Sequence, residues 1–421
     1  MSEVAPEPVM AGAVPGARVS RPRFPCFDGL RAIAVFAAIA THVGYVTGAS
    51  AEASYRNYTA NLEIGPAIFF MISAFLLYYS YVSDSYDDRE PLRATNFWWR
   101  RLLRVVPAYW VALTGLIVLF NLHVSGLHDV VIYYGFLQIY DTQRFLGGIP
   151  QAWTLCVEIS FYAVLPAYAW LLRRCTAGRR LESRLRIELL GAAALVATCY
   201  VYRAAVYAID GRHAVGRIAT HWLPGYLDLF AIGMALAAIR AYVGRRGTNS
   251  LVEWVGRMSW MWWLLAAVCV WLVAAHLGLP RLPQADNTPI GWGADRQQIL
   301  QSLSAMFLCL PAVFGAQERG GVRAFLRWRP VVFLGTVSYG VYLWHEGWLD
   351  KWMSWTGRAS LGDLVTGHGH YRVSTYPLIL VLTIAGAVVC ATLSYYLVER
   401  PILRLKDRVP RPLAARRGAV V

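Results

Sequence analysis

The sequence predicts an all-α integral membrane protein, a bundle of about ten transmembrane helices with both termini in the cytoplasm. The first observation behind this is composition, because 57% of the 421 residues are hydrophobic, only 15% are charged, and the mean hydropathy is +0.41. The second is spacing, since apolar runs of membrane-spanning length follow one another from near residue 28 to near residue 398. No hydrophilic stretch between them is long enough to form a separate soluble domain.

The distribution of basic residues sets the predicted orientation. The predicted spans lie near 28–48, 62–83, 103–122, 152–172, 188–209, 222–240, 259–278, 298–316, 331–350 and 376–398. With the N-terminus inside, 29 of the 40 Lys and Arg residues fall in inner segments and 9 in outer segments. This asymmetry follows the positive-inside rule, so the net charge of +15 indicates topology and not nucleic-acid binding. Val130–Tyr140 is too short to span and is predicted to be an interfacial or re-entrant piece on the outer side.

The chain ends are predicted to be tails around one membrane domain. Residues 1–24 are Pro- and Ala-rich without an apolar core, which indicates a disordered cytoplasmic tail and no cleavable signal peptide. Residues 25–405 form the predicted ten-span domain of an inner (plasma) membrane protein, and 406–421 a basic cytoplasmic tail. The seven cysteines include no CxxC spacing, so neither disulfides nor a metal site are expected.

The first predicted span carries two ionisable residues on one stripe. Arg31 and His42 are eleven residues apart, and at ~100° per residue they share a helix face, separated along the axis by roughly 16 Å. Ionisable residues within spans are functional hypotheses by default, because burying them in lipid is costly. The pair therefore indicates a polar path through the bundle, with a snorkelling Arg and a hydrogen-bonded core His as the structural alternative.

The inner end of the third span combines basic and aromatic residues. Arg101 and Arg104 are three residues apart, hence neighbours on one helix face, and Trp98 and Trp99 lie beside them. Guanidinium groups suit phosphates, so this stretch is predicted to bind an anionic cytoplasmic ligand. Basic and aromatic residues also anchor ordinary spans at a cytoplasmic interface.

Two later spans contribute further polar side chains. Glu158 lies about two turns into the fourth span, at a depth similar to that of His42, so a His42–Glu158 pair is predicted; a structural ion pair is the alternative. In the ninth span, Ser338 and Tyr339 are candidates for lining the path and donating hydrogen bonds, while His345 and Glu346 lie near its outer end.

These stretches together resemble the acyltransferase 3 family of integral membrane acyltransferases. The motifs that carry the resemblance are Phe27-Asp-Gly-Leu-Arg31 with His42, Arg101-Leu-Leu-Arg104, Trp153-Thr-Leu-Cys-Val-Glu158, Asp228-Leu-Phe230 with Gly233, Ser338-Tyr-Gly-Val-Tyr342 with His345, and Tyr396-Leu-Val-Glu399-Arg-Pro401. The resemblance runs from about residue 24 to 405. It departs after Glu158, where many relatives carry a second carboxylate. No fused extracytoplasmic SGNH-type domain is evident, so this chain is expected to complete the transfer itself.

The resemblance implies transfer of an acyl group from cytoplasmic acyl-CoA to a hydroxyl of a carbohydrate-containing acceptor, with no permanently bound cofactor. Arg31, Arg101 and Arg104 would hold the donor, and His42 would act as general base with Glu158 orienting it; an acyl-imidazole intermediate stays open. Trp153, Ser338 and Tyr339 are candidates for contacting the donor thioester or stabilising the oxyanion.

The acceptor and the acyl group are open at this stage. Aromatic outer loops at 279–297 and 351–376 favour an envelope glycan or its lipid-linked precursor. Arg203 is predicted either to pair structurally, for example with Glu158, or to receive the carboxylate of a succinyl group, so acetyl and succinyl donors both fit. Two other functions fit the polar core: a transporter or flippase, and an O-acyltransferase for a small molecule such as a macrolide. The sequence predicts nothing about oligomeric state.

Overall fold

The computed structural model describes residues 24–210, 214–276, 291–315, 318–355 and 372–407, and all regular secondary structure in these ranges is helical. Seven segments are long and apolar enough to cross a membrane: Cys26–Thr47, Gly65–Tyr86, Ala94–Phe120, Pro150–Thr176, Leu181–Ile209, Leu223–Arg246 and Val373–Leu403. The pair Ser250–Arg257 and Ser259–Ala275, bent by 67°, is an eighth candidate if its two pieces form one span. The prediction of a multi-pass helical membrane protein is therefore confirmed.

The ten predicted spans all fall on helices, but the count of ten stays a prediction. Predicted spans 298–316 and 331–350 coincide with the helices Trp292–Val313 and Arg329–Trp355. Both are longer than the ~20 residues that a span needs, yet neither is among the seven apolar segments. These two helices also carry several of the polar side chains described below.

The helices are numbered in chain order for use below. They are α1 (Cys26–Thr47), α2 (Ala49–Glu52), α3 (Arg56–Thr59), α4 (Gly65–Tyr86), α5 (Ala94–Phe120), α6 (Gly126–Tyr134), α7 (Trp153–Thr176), α8 (Leu181–Asp210), α9 (Ala214–Ala219), α10 (Leu227–Arg246), α11 (Ser250–Arg257), α12 (Ser259–His276), α13 (Trp292–Val313), α14 (Gly321–Leu326), α15 (Arg329–Trp355), α16 (Tyr376–Ser394) and α17 (Arg400–Leu403). A π-helical turn, Tyr395–Glu399, joins α16 to α17.

The segment predicted to be interfacial forms no spanning helix. Its residues belong to the nine-residue α6 and to a 3-10 turn, Gln138–Tyr140. Nine residues of α-helix rise about 14 Å, less than half a hydrocarbon core. The length therefore agrees with an interfacial or re-entrant piece.

Helix α1 lies at the centre of the bundle and packs against α4, α15 and α16. Among the spanning helices, α4 and α1 are the most enclosed and α8 is the most exposed at its surface. Small residues allow these close approaches. A Cβ at Gly335 of α15 would collide with the backbone carbonyl of Asp28 in α1, so these two helices touch backbone to backbone at this point.

Several sequence predictions concern residues that the structure does not describe. The predicted tails at 1–24 and 406–421 fall almost wholly outside the described residues, as do most of the outer loop 279–297 and the middle of the loop 351–376. Trp352 and Trp355 of that second loop are described, and they belong to the last turns of α15.

Candidate active site

His42 of α1 meets two residues of α15. Its Nδ1 lies 2.5 Å from Oε1 of Glu346 and 2.9 Å from Nε2 of His345. His345 is fully buried, the side chain of Glu346 is 8% exposed, and that of His42 is 21% exposed. The two imidazole rings stack with centroids 5.1 Å apart. The only partly covered member of this cluster is thus His42.

Hydrogen bonding assigns the protons of the cluster. Nδ1 of His345 donates to the backbone carbonyl of Tyr342 at 2.8 Å, because a carbonyl oxygen can only accept. Nε2 of a neutral His345 therefore carries a lone pair. Nδ1 of His42 faces the carboxylate of Glu346 and donates to it, which leaves Nε2 as the basic nitrogen of a neutral His42 ring. A carboxylate so placed stabilises the imidazolium that forms when Nε2 takes a proton.

The same three residues are a candidate for metal binding, since their ligand atoms all lie within 4.8 Å of one another. Two ligands of one tetrahedral zinc ion, each about 2.0 to 2.1 Å from the metal, stand roughly 3.3 Å apart. The 2.5 Å between His42 Nδ1 and Glu346 Oε1 is instead the distance of a charge-assisted hydrogen bond. The geometry fits a shared proton better than a shared metal, and the sequence prediction that no metal is used stays a prediction.

A first cavity, of about 310 Å³, opens beside α1 one and a half helical turns or more from the His42 cluster, and we call it cavity 1. It gathers most of the residues predicted to bind the donor: Arg31, Arg101, Arg104, Ser338 and Tyr339. Arg31 is paired with Asp28 at 3.0 Å within α1, and the Tyr339 hydroxyl donates to the Val105 carbonyl at 2.8 Å. Three guanidinium groups around one cavity make it an anion site.

Glu158 belongs to cavity 1 and not to the His42 cluster, so the predicted His42–Glu158 pair is wrong. Ser73 of α4 donates to its Oε1 at 2.5 Å. Tyr162, one turn further along α7, lines the same cavity. The prediction rested on depth along the bundle, and depth does not determine which neighbour a helix faces. The carboxylate at His42 comes from α15, directly after His345 in the sequence.

A second cavity, of about 200 Å³, contains the exposed edge of His42, and we call it cavity 2. Trp153 lines it, although the sequence grouped this residue with the donor site; the ring centroid lies 5.4 Å from that of Tyr226 and 5.0 Å from that of His221. Glu63 also lines the cavity and accepts a hydrogen bond from the Tyr45 hydroxyl at 3.2 Å. Aromatic faces beside polar groups are typical of carbohydrate recognition.

Arg203 at the wall of cavity 2 is neutralised by residues of the protein. Its Nε lies 2.6 Å from Oδ1 of Asp295, and a second nitrogen donates to the Tyr207 hydroxyl at 2.7 Å. The predicted structural pairing is therefore present, but its partner is Asp295 and not Glu158. Asp295 was expected in an outer loop and lies instead in the first turn of α13.

The local sequence explains how α1 and α15 present these groups. α1 is rich in Ala and ends at Gly48, whose φ of 77° terminates the helix about one and a half turns after His42. α15 begins with Arg329-Pro330 and runs for 27 residues. Arg31 lines cavity 1 and His42 lines cavity 2, so the eleven-residue spacing in α1 connects the two cavities. Glu346, Ser73 and Tyr342 were not predicted as site residues; the Trp344-His345-Glu346 sequence inside a span was the available signal.

Comparison with known proteins adds independent information. A family model described as an acyltransferase domain, of the acyltransferase 3 type, matches residues 24–396. The chain is 24% identical over 405 residues to YrhL of Bacillus subtilis, named as a candidate peptidoglycan O-acetyltransferase, and 23% identical over 416 residues to the peptidoglycan O-acetyltransferase OatA of Listeria monocytogenes. These alignments cover 90% and 91% of this chain.

The chain spans about half the length of the curated relatives it matches, 54% of YrhL and 56% of OatA. A candidate O-acetyltransferase of Staphylococcus aureus gives a similar result, with 23% identity over 90% of this chain and 57% of the relative. No solved structure matches the chain.

Proposed function

Since this chain belongs to the acyltransferase 3 family, we propose that it transfers an acetyl group from acetyl-CoA to a hydroxyl of a cell-envelope glycan. One observation carries this proposal: a cavity with three guanidinium groups and a cavity with a carboxylate-bound imidazole lie side by side along α1. The first suits an anionic donor and the second suits proton removal from a hydroxyl. An O-acyl transfer needs both functions within reach of one reaction.

Cavity 1 is the proposed donor site. Arg101 and Arg104 of α5 and Arg31 of α1 would bind the phosphates of acyl-CoA at the cytoplasmic end, with guanidinium forks suited to phosphate oxygens. A volume of about 310 Å³ fits the slender pantetheine arm and not the whole donor, so the nucleotide would stay at the mouth. Glu158, held by Ser73, is placed to accept a hydrogen bond from an amide of that arm.

Cavity 2 is the proposed acceptor site. His42 Nε2 would take the proton of the acceptor hydroxyl, and Glu346 would stabilise the resulting imidazolium. The acceptor oxygen forms a bond to the acyl carbon, the carbon–sulfur bond breaks, and the imidazolium proton passes to the departing thiolate. The three relatives named above, all O-acetyltransferases or candidates for that activity, support a glycan acceptor in the cell envelope.

An acetyl group fits better than a succinyl group. A succinyl donor would need a cation near the transferred group, and Arg203 was the available residue. Its guanidinium is already neutralised by Asp295 at 2.6 Å. Bringing a second carboxylate there would place two negative charges at one guanidinium, which is unfavourable in a buried setting.

The finer topology is part of the same proposal. Ten spans in the inner (plasma) membrane, with both termini in the cytoplasm, would put the arginine cluster of cavity 1 on the cytoplasmic side, where acyl-CoA is available. The His42 end of α1 would then face outward, where the envelope glycan is built.

The first test is acetyl transfer by the purified full chain in detergent, with acetyl-CoA or succinyl-CoA and soluble fragments of cell-wall glycan. Release of CoA thiol and mass of the acylated glycan are measured together. We expect acetyl-CoA to be used and His42→Ala to lose at least about 1,000-fold in rate, the usual scale for a general base and its orientation. His123→Ala, at an exposed imidazole, is the matched control and should keep wild-type activity.

Donor binding is tested separately. Arg101→Ala and Arg104→Ala should raise the KM for acetyl-CoA by about 10- to 100-fold, because each removes a charge-assisted contact worth about 1.5 to 3 kcal/mol. Arg180→Ala removes an exposed guanidinium and should leave that KM unchanged. Movement of a glycan across vesicles with no release of CoA thiol would replace this proposal with transport. Thioester turnover with a small molecule but no glycan would overturn the acceptor.

A further inference from the structure

Cavity 1 and cavity 2 are separated by very few side chains. Among the described residues, Pro66 and Tyr342 are the two that line both cavities. Pro66 lies in the first turn of α4, and its ring is fixed by the backbone. Tyr342 of α15 is only 6% exposed, so its ring fills the space between the two cavities. Any group that passes from one cavity to the other has to pass this ring.

Tyr342 is held from both its ends. Its hydroxyl donates to the Gln151 carbonyl at 3.1 Å and lies 3.1 Å from Oγ1 of Thr154, so the start of α7 fixes the tip of the ring. Its backbone carbonyl accepts hydrogen bonds from Gln151 Nε2 at 2.7 Å and from His345 Nδ1 at 2.8 Å. The ring can therefore be altered by mutation while the backbone contact that orients His345 stays in place.

We propose that Tyr342 is the partition between the donor and acceptor cavities, and that it determines whether the acyl group goes to the acceptor or to water. This inference rests on the proposed function. In productive transfer the carbon–sulfur bond breaks, the acceptor oxygen forms the ester, and the acceptor proton reaches CoA through His42. If water enters instead, its oxygen forms the free acid, its proton follows the same route, and CoA is released without an ester.

The geometry explains why the ring matters for this choice. His42 lies in cavity 2, so a water molecule beside it could be activated as readily as a sugar hydroxyl. The wild-type ring closes the donor cavity until an acceptor occupies cavity 2 and displaces water from it. Exclusion of water from the reacting group is a general way in which active sites suppress hydrolysis. Tyr342 is accordingly a specificity-determining residue and takes no proton itself.

The test compares Tyr342→Ala with Tyr342→Phe in the purified full chain, using acetyl-CoA and glycan fragments. The measured quantity is the ratio of CoA released to ester formed. We expect a ratio near one for wild type, a rise of at least about tenfold in Tyr342→Ala because water reaches the thioester, and a change of no more than about twofold in Tyr342→Phe. Phe69→Ala, which removes a neighbouring ring that lines cavity 1 alone, should keep the wild-type ratio.

A second measurement is independent of catalysis. In a background without the seven native cysteines, Gln301→Cys marks cavity 2 and Thr336→Cys marks cavity 1 in sealed proteoliposomes. A membrane-impermeant thiol reagent is added on the face from which Gln301→Cys is labelled. Thr336→Cys should resist labelling from that face with Tyr342 present and become labelled when Tyr342→Ala is added.

The outcomes separate the partition from the proposed function. If wild type transfers acetyl groups but Tyr342→Ala keeps both the ratio and the labelling pattern, the partition is wrong and the proposed function stands. If wild type transfers nothing, the proposed function fails and labelling alone decides on the partition. Should Tyr342→Ala not fold, Tyr342→Leu leaves a smaller opening and should show the same changes at smaller size.

Discussion

The imidazole of His42 has a carboxylate at one nitrogen, and this arrangement assigns different tasks to its two neighbours. Glu346, 2.5 Å away, can stabilise positive charge on the ring. His345 is fixed by the Tyr342 carbonyl, so it orients the cluster without contributing a charge of its own while neutral. The reactive nitrogen of His42 is thus supported from behind by groups that do not touch the substrates.

Glu346→Gln tests that support. The amide keeps the size of the carboxylate but carries no negative charge, so the imidazolium loses its stabilising partner. We expect kcat to fall by roughly 100- to 10,000-fold, as when the acid of a Ser-His-Asp triad is made neutral, with both KM values nearly unchanged. Steady-state kinetics at saturating acetyl-CoA measure the effect. Glu90→Gln, at an exposed carboxylate, is the control. Full activity in Glu346→Gln would remove Glu346 from the mechanism.

At the scale of helices, the contact between α1 and α15 positions both cavities. Gly335 allows it, since a Cβ there would collide with the Asp28 carbonyl, three residues before Arg31. Arg31 is paired with Asp28 at 3.0 Å, so any shift of α15 at this point disturbs the donor cavity directly.

Gly335→Ala should therefore destabilise the bundle by about 1 to 3 kcal/mol and weaken donor binding, because α1 and α15 must separate to admit the methyl group. Thermal unfolding in detergent and titration with acetyl-CoA measure the two effects. Gly293→Ala, in α13 with open space around its Cβ position, should change the melting temperature little. Equal melting temperatures for the two variants would show that α1 and α15 are not in the contact described.

The short helix α6 offers a pH-dependent test outside the spanning segments. The Ser125 backbone N–H, at 3.0 Å, and the Arg144 guanidinium, at 2.6 Å, lower the pKa of Asp129 to about 2. An unfolded Asp has a pKa of about 3.9. The ionised carboxylate therefore stabilises the fold above about pH 4, and this stabilisation is lost as the pH falls towards 2.

Asp129→Asn should consequently melt at a lower temperature than wild type at pH 6, and the difference should shrink as the pH is lowered from about 4 towards 2. Melting curves of both proteins across that range measure it. A difference that stays constant with pH would show that the hydrogen bonds of Asp129, and not its charge, account for its contribution.

For the whole molecule, the number of spans determines where each cavity opens. Eight or ten spans put the two termini on the same face, whereas the seven strongly apolar segments alone would put them on opposite faces. We expect reporter fusions at residues 1 and 421 both to report the cytoplasm, as the distribution of Lys and Arg predicts. Opposite locations would rule out the even count and invert the proposed direction of one cavity.

The sequence is informative about this molecule along each helix and much less so across helices. The span positions and the grouping of Arg31, Arg101 and Arg104 were predictable, because hydropathy and helical spacing are local properties. The partner of His42 was not, since Glu158 and Glu346 both lie in apolar helices and only the packing of α15 against α1 decides between them. Trp153 was misplaced for the same reason, as the face of α7 that bears it turns towards cavity 2.

The π-helical turn Tyr395–Glu399 makes the composition of cavity 1 depend on the length of the chain as well as on its residue types. Tyr395 and Glu399, at its two ends, both line that cavity. Removing one residue from the turn would restore a continuous α-helix and rotate everything after it by about 100°. The carboxylate of Glu399 would leave the cavity although no residue that lines it had been replaced. Between two relatives of this protein, a gap of a single residue here would therefore indicate a different donor chemistry, even where every motif is shared.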